Sequence, residues 1–316
     1  MIAVDMDGTL LNDHGQVSPR NLAALLAAEA AGIEVVVATG RRHSYAMRVL
    51  RPLNLPHACS VVSSNGTVTR TMGCSAAGQE AIASELFARN HLSHEAALWL
   101  CSHVDEFRNA LVLTFDRVGP DGDDTRGALV VEHLDELNAS IGRWMAANEP
   151  YIAHVNPIEL ALDPSVTDAP IQAMLCGTVE HMRRAEARLL EHRGVVAVGH
   201  TPATVEAHHI IALHRTEYPA RDLSILDILP AGCSKGAALL SLAAAQGVTA
   251  DQILAIGDNW NDVSMLEIAG SAVVMDNAPE DLKELARERG WRIGPSNLND
   301  GVAEAIESAL PVAAEI

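Results

Sequence analysis

The chain runs to 316 residues, enough for a large buried core and two domains. Its formal charge of −19 excludes a general nucleic-acid or anionic-membrane surface, which needs gathered Lys and Arg, but leaves room for a small anionic substrate met by local positive charge. Hydrophobic residues make up 48% of the chain, yet no uninterrupted apolar run reaches the length of a membrane span.

In chain order, "MIAVDMDGTLLND" begins with a short apolar strand and then sets Asp5 and Asp7 one residue apart. There is no basic region leading into an apolar stretch and a cleavage site, so the expectation is no signal peptide and a cytoplasmic location. "SPRNLAALLAAEAAGIEVVVATGR" predicts a helix followed by a strand. Ser18 is placed to cap, Pro19 suits the first helical position, and Gly32 the position just past the end. "IEVVVAT" is apolar without alternation, as expected of a parallel strand covered on both faces. Asn65-Gly66 inside "HACSVVSSNGTVTR" predicts a hairpin.

Residues 84–228 change character. Helical stretches such as "SHEAALWLCSHVDEF" and "TVEHMRRAEARLLEHR" mix with expected strands "NALVLTF", "IELAL" and "IQAMLC", which implies an α+β domain inserted into an α/β one. The alternation then resumes. Ser234 can cap the helix "KGAALLSLAAAQ", "QILAIG" and "SAVVM" read as strands, and "DVSMLEIA", "PEDLKELARER" and "DGVAEAIESAL" as helices. Repeated units of this length imply a parallel sheet with right-handed crossovers, formed by residues 1–83 and 229–316.

The five cysteines (Cys59, Cys74, Cys101, Cys176, Cys233) form no CxxC pair, so reduced, mostly buried thiols are expected. The fourteen histidines are dispersed without HExxH, and the doublet His208-His209 would point to opposite faces of a strand. The two N-terminal aspartates pose a sharper question, because anions this close repel unless a cation or shared proton relieves them. Four stretches fall where an open α/β sheet exposes its ligand site. They are Asp5 to Thr9, Thr39-Gly40-Arg41, Ser234-Lys235-Gly236, and Gly257 to Asp262 in "GDNWND". Each alone has a structural explanation as a cap or turn.

Together and in this order they resemble the haloacid dehalogenase superfamily of phosphotransferases, in particular the Cof-type phosphatases with a large α+β cap (type IIB) between the second and third motifs. DxDGT is found as Asp5 to Thr9, the strand ending in Thr as "VVVATGR", the lysine of "SKG" as Lys235, and GDxxND as Gly257 to Asp262. "SSNG", "MLEIAG" and "VVMDNAPEDLKELA" also match the family's pattern. The resemblance implies a Rossmann-like doubly wound parallel-sheet core with an inserted cap, a Mg2+ cofactor, and a small phosphorylated substrate, most naturally a sugar phosphate. It makes Asp5 the nucleophile and a magnesium ligand with Asp258, and gives Asp7 a backbone contact to the metal. It also places Asn261 on the phosphate, and Asp262 in the metal's outer shell or beside Lys235.

The residue types agree with such chemistry. A carboxylate can attack phosphorus once a cation removes the charge barrier, and magnesium prefers hard oxygens. Asp7 is then free to act as general acid and later as base. The Thr39 hydroxyl and Gly40 amide can donate to phosphoryl oxygens, and Lys235 can steady the nucleophile and the developing charge. Arg41 could reach the substrate, but the simpler expectation is that it pairs with a surface acid; Asn12 and Asp13 are expected to belong to the turn. Phosphomutase and non-catalytic sugar-phosphate sensor remain as alternatives; the absence of GxGxxG and of GxxxxGK[ST] argues against dinucleotide binding and ATP hydrolysis. A small substrate, no nucleic acid, no membrane, and a monomer or small homo-oligomer are the expected associations.

Overall fold

The short apolar runs at the start of the chain become fully buried strands: β1 (Ile2–Asp5), β2 (Val35–Ala38) and β3 (Ser60–Ser63). The computed structural model describes residues 1–53, 59–71, 85–119, 122–165, 167–198 and 205–310. Alternate residues of these strands face opposite ways. Ile2, Val4, Val35 and Val37 pack with Leu25, Ala28, Val302 and Ile306, whereas Ala3, Val36 and Ala38 pack with Leu239, Leu242, Leu266 and Leu282. Both faces are apolar, which is why the sequence shows no alternation here. Helix α1 (Pro19–Ala30) begins with the Ser18 side chain accepting from the Asn21 N–H, and Gly32 after it has φ +77°. α2 (His43–Leu50) follows β2. The expected hairpin joins β3 to antiparallel β4 (Val68–Thr71) through a 3-10 turn, Ser64–Gly66, and β5 (Glu85–Arg89) completes this edge.

The chain divides into one unit of Met1–Ala88 with Ser234–Ile316 and a second of Arg89–Cys233. The expected junction at 83/84 lies outside the described residues. The one at 228/229 falls within a continuous strand. The second unit contains α3 (His94–His103), β6 (Leu111–Thr114), β7 (Leu129–Val131), α4 (Asp135–Asn148), β8 (Ile152–His154), β9 (Gln172–Gly177), α5 (Val179–Leu189), β10 (Val195–Ala197), β11 (Ile211–Tyr218) and β12 (Leu223–Pro230). Its sheet runs β10-β11-β12-β9-β6-β7-β8. Leu111, Leu175 and Leu226 pack with Leu100 of α3 and Met182 of α5; Val112, Val131 and Cys176 pack with Leu137 and Met145 of α4.

Two expectations for this unit are corrected. "IELAL" is a 3-10 helix, Ile158–Leu162, not a strand. Ile158, Ala161 and Leu162 are buried while Leu160 is 66% exposed, so burial follows helical spacing; five residues of alternating pattern fit either period. His208-His209 lies in a turn with the two rings 4.2 Å apart, rather than on opposite faces of a strand. Burial pushes the Cys59, Cys101 and Cys176 thiols up to about 12 and Cys233 to about 11; Cys74 lies outside the described residues.

The chain then supplies α6 (Lys235–Ala245), β13 (Leu254–Gly257), α7 (Val263–Ile268), β14 (Ser271–Met275), α8 (Glu280–Arg289), β15 (Arg292–Gly294) and α9 (Gly301–Ala309). The first unit's sheet runs β15-β14-β13-β1-β2-β3-β4-β5, parallel from β15 through β3. β1 therefore lies between β2 and β13, and the carboxyl ends of all three are adjacent. Among the described residues no helix is long and apolar enough to cross a membrane.

Candidate active site

Asp5 ends β1 on the same side as Ala3, the face covered by α6 and α7. Lys235 opens α6, whose end is fixed by the Ser234 side chain accepting from the Ala237 N–H. The Lys235 Nζ donates to Asp5 Oδ1 at 2.5 Å and to Asp262 Oδ1 at 2.6 Å. The side chains of Lys235 and Asp262 are 0% exposed and that of Asp5 is 6% exposed. The other oxygen of Asp262, Oδ2, accepts from the backbone N–H groups of Asp258 and Asn259, each at 3.0 Å. Asp262 is thus committed at both oxygens, to the ammonium and to the loop after β13.

Asp258 stands beside this pair, with Oδ1 accepting from the Thr9 hydroxyl at 2.7 Å. Gly8 makes the approach possible. Its φ is +78°, and a Cβ there would lie 2.4 Å from Asp258 Oδ2. Gly66 plays a similar part against α6, where a Cβ would lie 2.2 Å from the Ser234 carbonyl oxygen. Carboxylate oxygens of Asp5, Asp258 and Asp262 all lie within 4.8 Å of one another.

Three carboxylates therefore crowd a nearly dry place in which the one ammonium bonds two of them, Asp5 and Asp262. Burial, followed by the Asp262 charge, holds the Asp5 carboxyl well above its usual range against the opposing pull of Lys235. Burial and Asp262 also push Asp258 up to about 7, with the Thr9 hydrogen bond opposing. Burial works against the Lys235 ammonium, yet Asp262 and Asp5 together hold its pKa above the usual value. Buried, surplus carboxylate oxygen of this kind fits a hard divalent cation. Asp5 Oδ2, which Lys235 leaves free, and Asp258 are the side-chain oxygens suited to it.

The two aspartates of the opening motif diverge. The Asp7 side chain is 50% exposed, and Arg41 grips it at two points, with Nε donating to Oδ2 at 2.6 Å and Nη2 to Oδ1. The guanidinium lies 4.5 Å from the centre of the Tyr45 ring. Arg41 does pair with an acid, and that acid is Asp7. Asn12 Oδ1 accepts from the His14 and Gln16 N–H groups, which makes it part of the turn.

Thr39 follows β2, beside Asp5 in the sheet, and its Oγ1 accepts from the Arg41 N–H at 3.1 Å. Asn65 links it to the rest. The Asn65 N–H donates to the Thr39 carbonyl, its side chain packs on Gly40, and its Oδ1 accepts from Asn261 Nδ2 at 3.2 Å. The hairpin thereby gathers Thr39, Gly40 and Asn261. Thr9 and Asn65 were not expected here. Their signals were present, since Thr9 belongs to the DxDGT motif and Asn65 is an Asn suited to the left-handed backbone it adopts, φ 53°.

The sequence profile described as haloacid dehalogenase-like hydrolase matches residues 2–113 and 206–306. The 5-amino-6-(5-phospho-D-ribitylamino)uracil phosphatase YwtE of Bacillus subtilis (strain 168) is 29% identical, over 98% of this chain and 97% of its own. The pyridoxal phosphate phosphatase YbhA of Escherichia coli (strain K12) is 28% identical, over 98% of each chain. The solved structure of a haloacid dehalogenase-like hydrolase from B. subtilis is similar with a TM-score of 0.71 at 26% identity, covering 98% of this chain and 99% of that one.

Proposed function

The chain belongs to the haloacid dehalogenase-like hydrolases and is a phosphatase, and from that premise we propose that it hydrolyses a small phosphorylated metabolite, a sugar phosphate, through a Mg2+-dependent phosphoaspartate on Asp5. The observation that carries this reading is the buried cluster of Asp5, Asp258 and Asp262 around Lys235, set at the carboxyl ends of adjacent parallel strands. The two relatives are named for small phosphomonoesters of different kinds, which supports a small substrate.

Asp5, Asp258 and the backbone carbonyl of Asp7 would hold the magnesium ion, which supplies the charge neutralisation that lets a carboxylate approach a phosphate. A carboxylate oxygen of Asp5 attacks phosphorus, the bond to the leaving oxygen breaks, and Asp7 delivers a proton to that oxygen. Asp7 then takes a proton from water as the water attacks the phosphoaspartate, releasing phosphate and restoring Asp5. Thr39, Gly40 and Asn261 orient the phosphoryl oxygens. Lys235 balances the charge that builds on them and holds Asp5 in one orientation. Asp262 orients Lys235.

The test is phosphate release from sugar phosphates, pyridoxal phosphate, nucleotides and p-nitrophenyl phosphate, for wild type and Asp5→Asn, with Mg2+ or with EDTA. Release that requires both Mg2+ and Asp5, fastest with a sugar phosphate, is the expected result. Release undiminished in Asp5→Asn overturns the mechanism, and a clear preference for another class overturns the substrate.

A further inference from the structure

Asn277 follows β14, and its side-chain amide reaches across the ends of neighbouring strands. Nδ2 donates to the Gly8 carbonyl at 2.8 Å, in the turn after β1, and more distantly to Asp258 Oδ2 at 3.4 Å, after β13. Oδ1 accepts from the Asn297 N–H at 3.0 Å. Asn297, only 7% exposed, in turn donates from Nδ2 to the Leu11 carbonyl at 2.9 Å. The Asn277 amide has a donor end facing two acceptors and an acceptor end facing an N–H, so only one orientation of it satisfies both. Two amides therefore stitch the turn that follows the nucleophile strand to the carboxylate after β13.

Packing does not account for this arrangement, because Asn277 is exposed and buries little apolar surface. Water could satisfy the same carbonyls. It could not fix where they stand relative to Asp258, which Asp262 repels and which, among the described residues, the neutral donors Thr9 and Asn277 steady from the side of the turn. The chemistry of the position is also restrictive. A carboxylate here would add another anion to the cluster, and an ammonium would compete with a bound cation.

We propose that Asn277, seated by Asn297, is a positioning residue that presets Asp258 and the turn around Gly8 for Mg2+. The proposal rests on the magnesium-dependent reading given above. It is tested with Asn277→Ala by calorimetric titration with Mg2+, by melting with and without Mg2+, and by p-nitrophenyl phosphate hydrolysis across Mg2+ concentrations. The expected result is a Mg2+ affinity weakened by about tenfold, the low end for partners of metal ligands, with the Mg2+ requirement of hydrolysis rising in parallel. The metal-free melting temperature should stay within about 2 °C of wild type, as for an exposed side chain. Wild-type Mg2+ affinity in folded Asn277→Ala overturns the role of Asn277 alone. A wild-type protein that binds no Mg2+ overturns the cofactor reading together with it.

Discussion

Each unit of the molecule gathers three carboxylates around one cation, and the two clusters behave in opposite ways. In the inserted unit Arg108 meets Glu132 at 2.9 Å, Asp105 at 2.8 Å and Glu159 at two points. Burial works against the Glu132 carboxylate, but the Ile158 N–H and the Arg108 fork outweigh it and hold its pKa below the usual range. Asp105 is 77% exposed, so water carries part of that charge. Three carboxylates also crowd the site of Lys235, but the ammonium bonds only Asp5 and Asp262, and Asp5 and Asp258 are held above their usual range. Counting charges does not separate a structural cluster from a reactive one. What separates them is whether each anion has donors enough to be comfortable as an anion.

The comparison can be broken at the nucleophile. Asp5→Asn should lower p-nitrophenyl phosphate hydrolysis by at least about a thousandfold, the scale seen when a member of a catalytic unit is lost. Removing one of three crowded anions should leave melting almost unmoved. A large loss of stability in Asp5→Asn would show that the core cluster is structural after all.

The cations give the next contrast. Lys235→Met strands buried carboxylates and should cost about 3–5 kcal/mol together with nearly all activity. Arg108→Met should also destabilise, by about 1–3 kcal/mol because water carries most of the Asp105 charge and part of that of Glu159, while activity per folded molecule stays within about twofold. Denaturation midpoints combined with active-fraction assays read both. Equal effects on activity would erase the distinction.

Acidity sharpens it further. Burial and the Asp262 charge push the Asp258 carboxyl up to about 7 in the folded chain, from an ordinary 3.8. Between those values the folded state keeps a proton that the unfolded state has lost. The Asp258 contribution to metal-free stability is therefore greatest below the ordinary value and falls as pH rises toward about 7, by a few kcal/mol at most, while buried His214 contributes the opposite slope below about 6.5. Mg2+ should flatten this slope. Urea midpoints of wild type and Asp258→Asn at about pH 5 and about pH 8, with EDTA or Mg2+, measure it, and a metal-free difference between the two that does not change with pH contradicts it.

The smallest effect is expected at Arg41. Its pair with Asp7 is open to solvent, so Arg41→Ala should shift stability by no more than about 1 kcal/mol. Hydrolysis should still fall by about two- to tenfold, because Asp7, the proposed acid–base group, loses the partner that fixes its carboxylate. Activity equal to wild type would make the pair a surface contact like the others.

Much of this was legible in the residues. Ser18 and Ser234 cap the helices their types predicted, and the unbroken apolar strands did mark a sheet covered on both faces. Asp5, Asp258, Asp262 and Lys235, which are distant in sequence, do converge. Other features were not legible, for physical reasons. Five residues of "IELAL" are too few to tell one period from another, and only burial decides. Arg41 gave no sign of its partner, because a long flexible cation can pair with any nearby acid. Asn65 reads as a turn residue and Asn277 only as part of "VVMDNAPEDLKELA", and what they hold depends on segments brought close by the sheet, not on neighbours in the chain.

The central place of β1 has a consequence for how the molecule is made. Asp5 and Lys235 stand 230 positions apart, and β1 pairs on one side with residues 35–38 and on the other with residues 254–256. During synthesis the inserted unit, whose strands and helices are contiguous in the chain, is out of the ribosome before β1 gains its second neighbour. Until then β1 has an open edge, and Asp5 has neither the lysine nor the loop carboxylates around it. The long-range closure that makes the sheet whole also assembles the cluster, so in the nascent chain Asp5 lacks the surroundings of its proposed role until nearly the last core strands arrive.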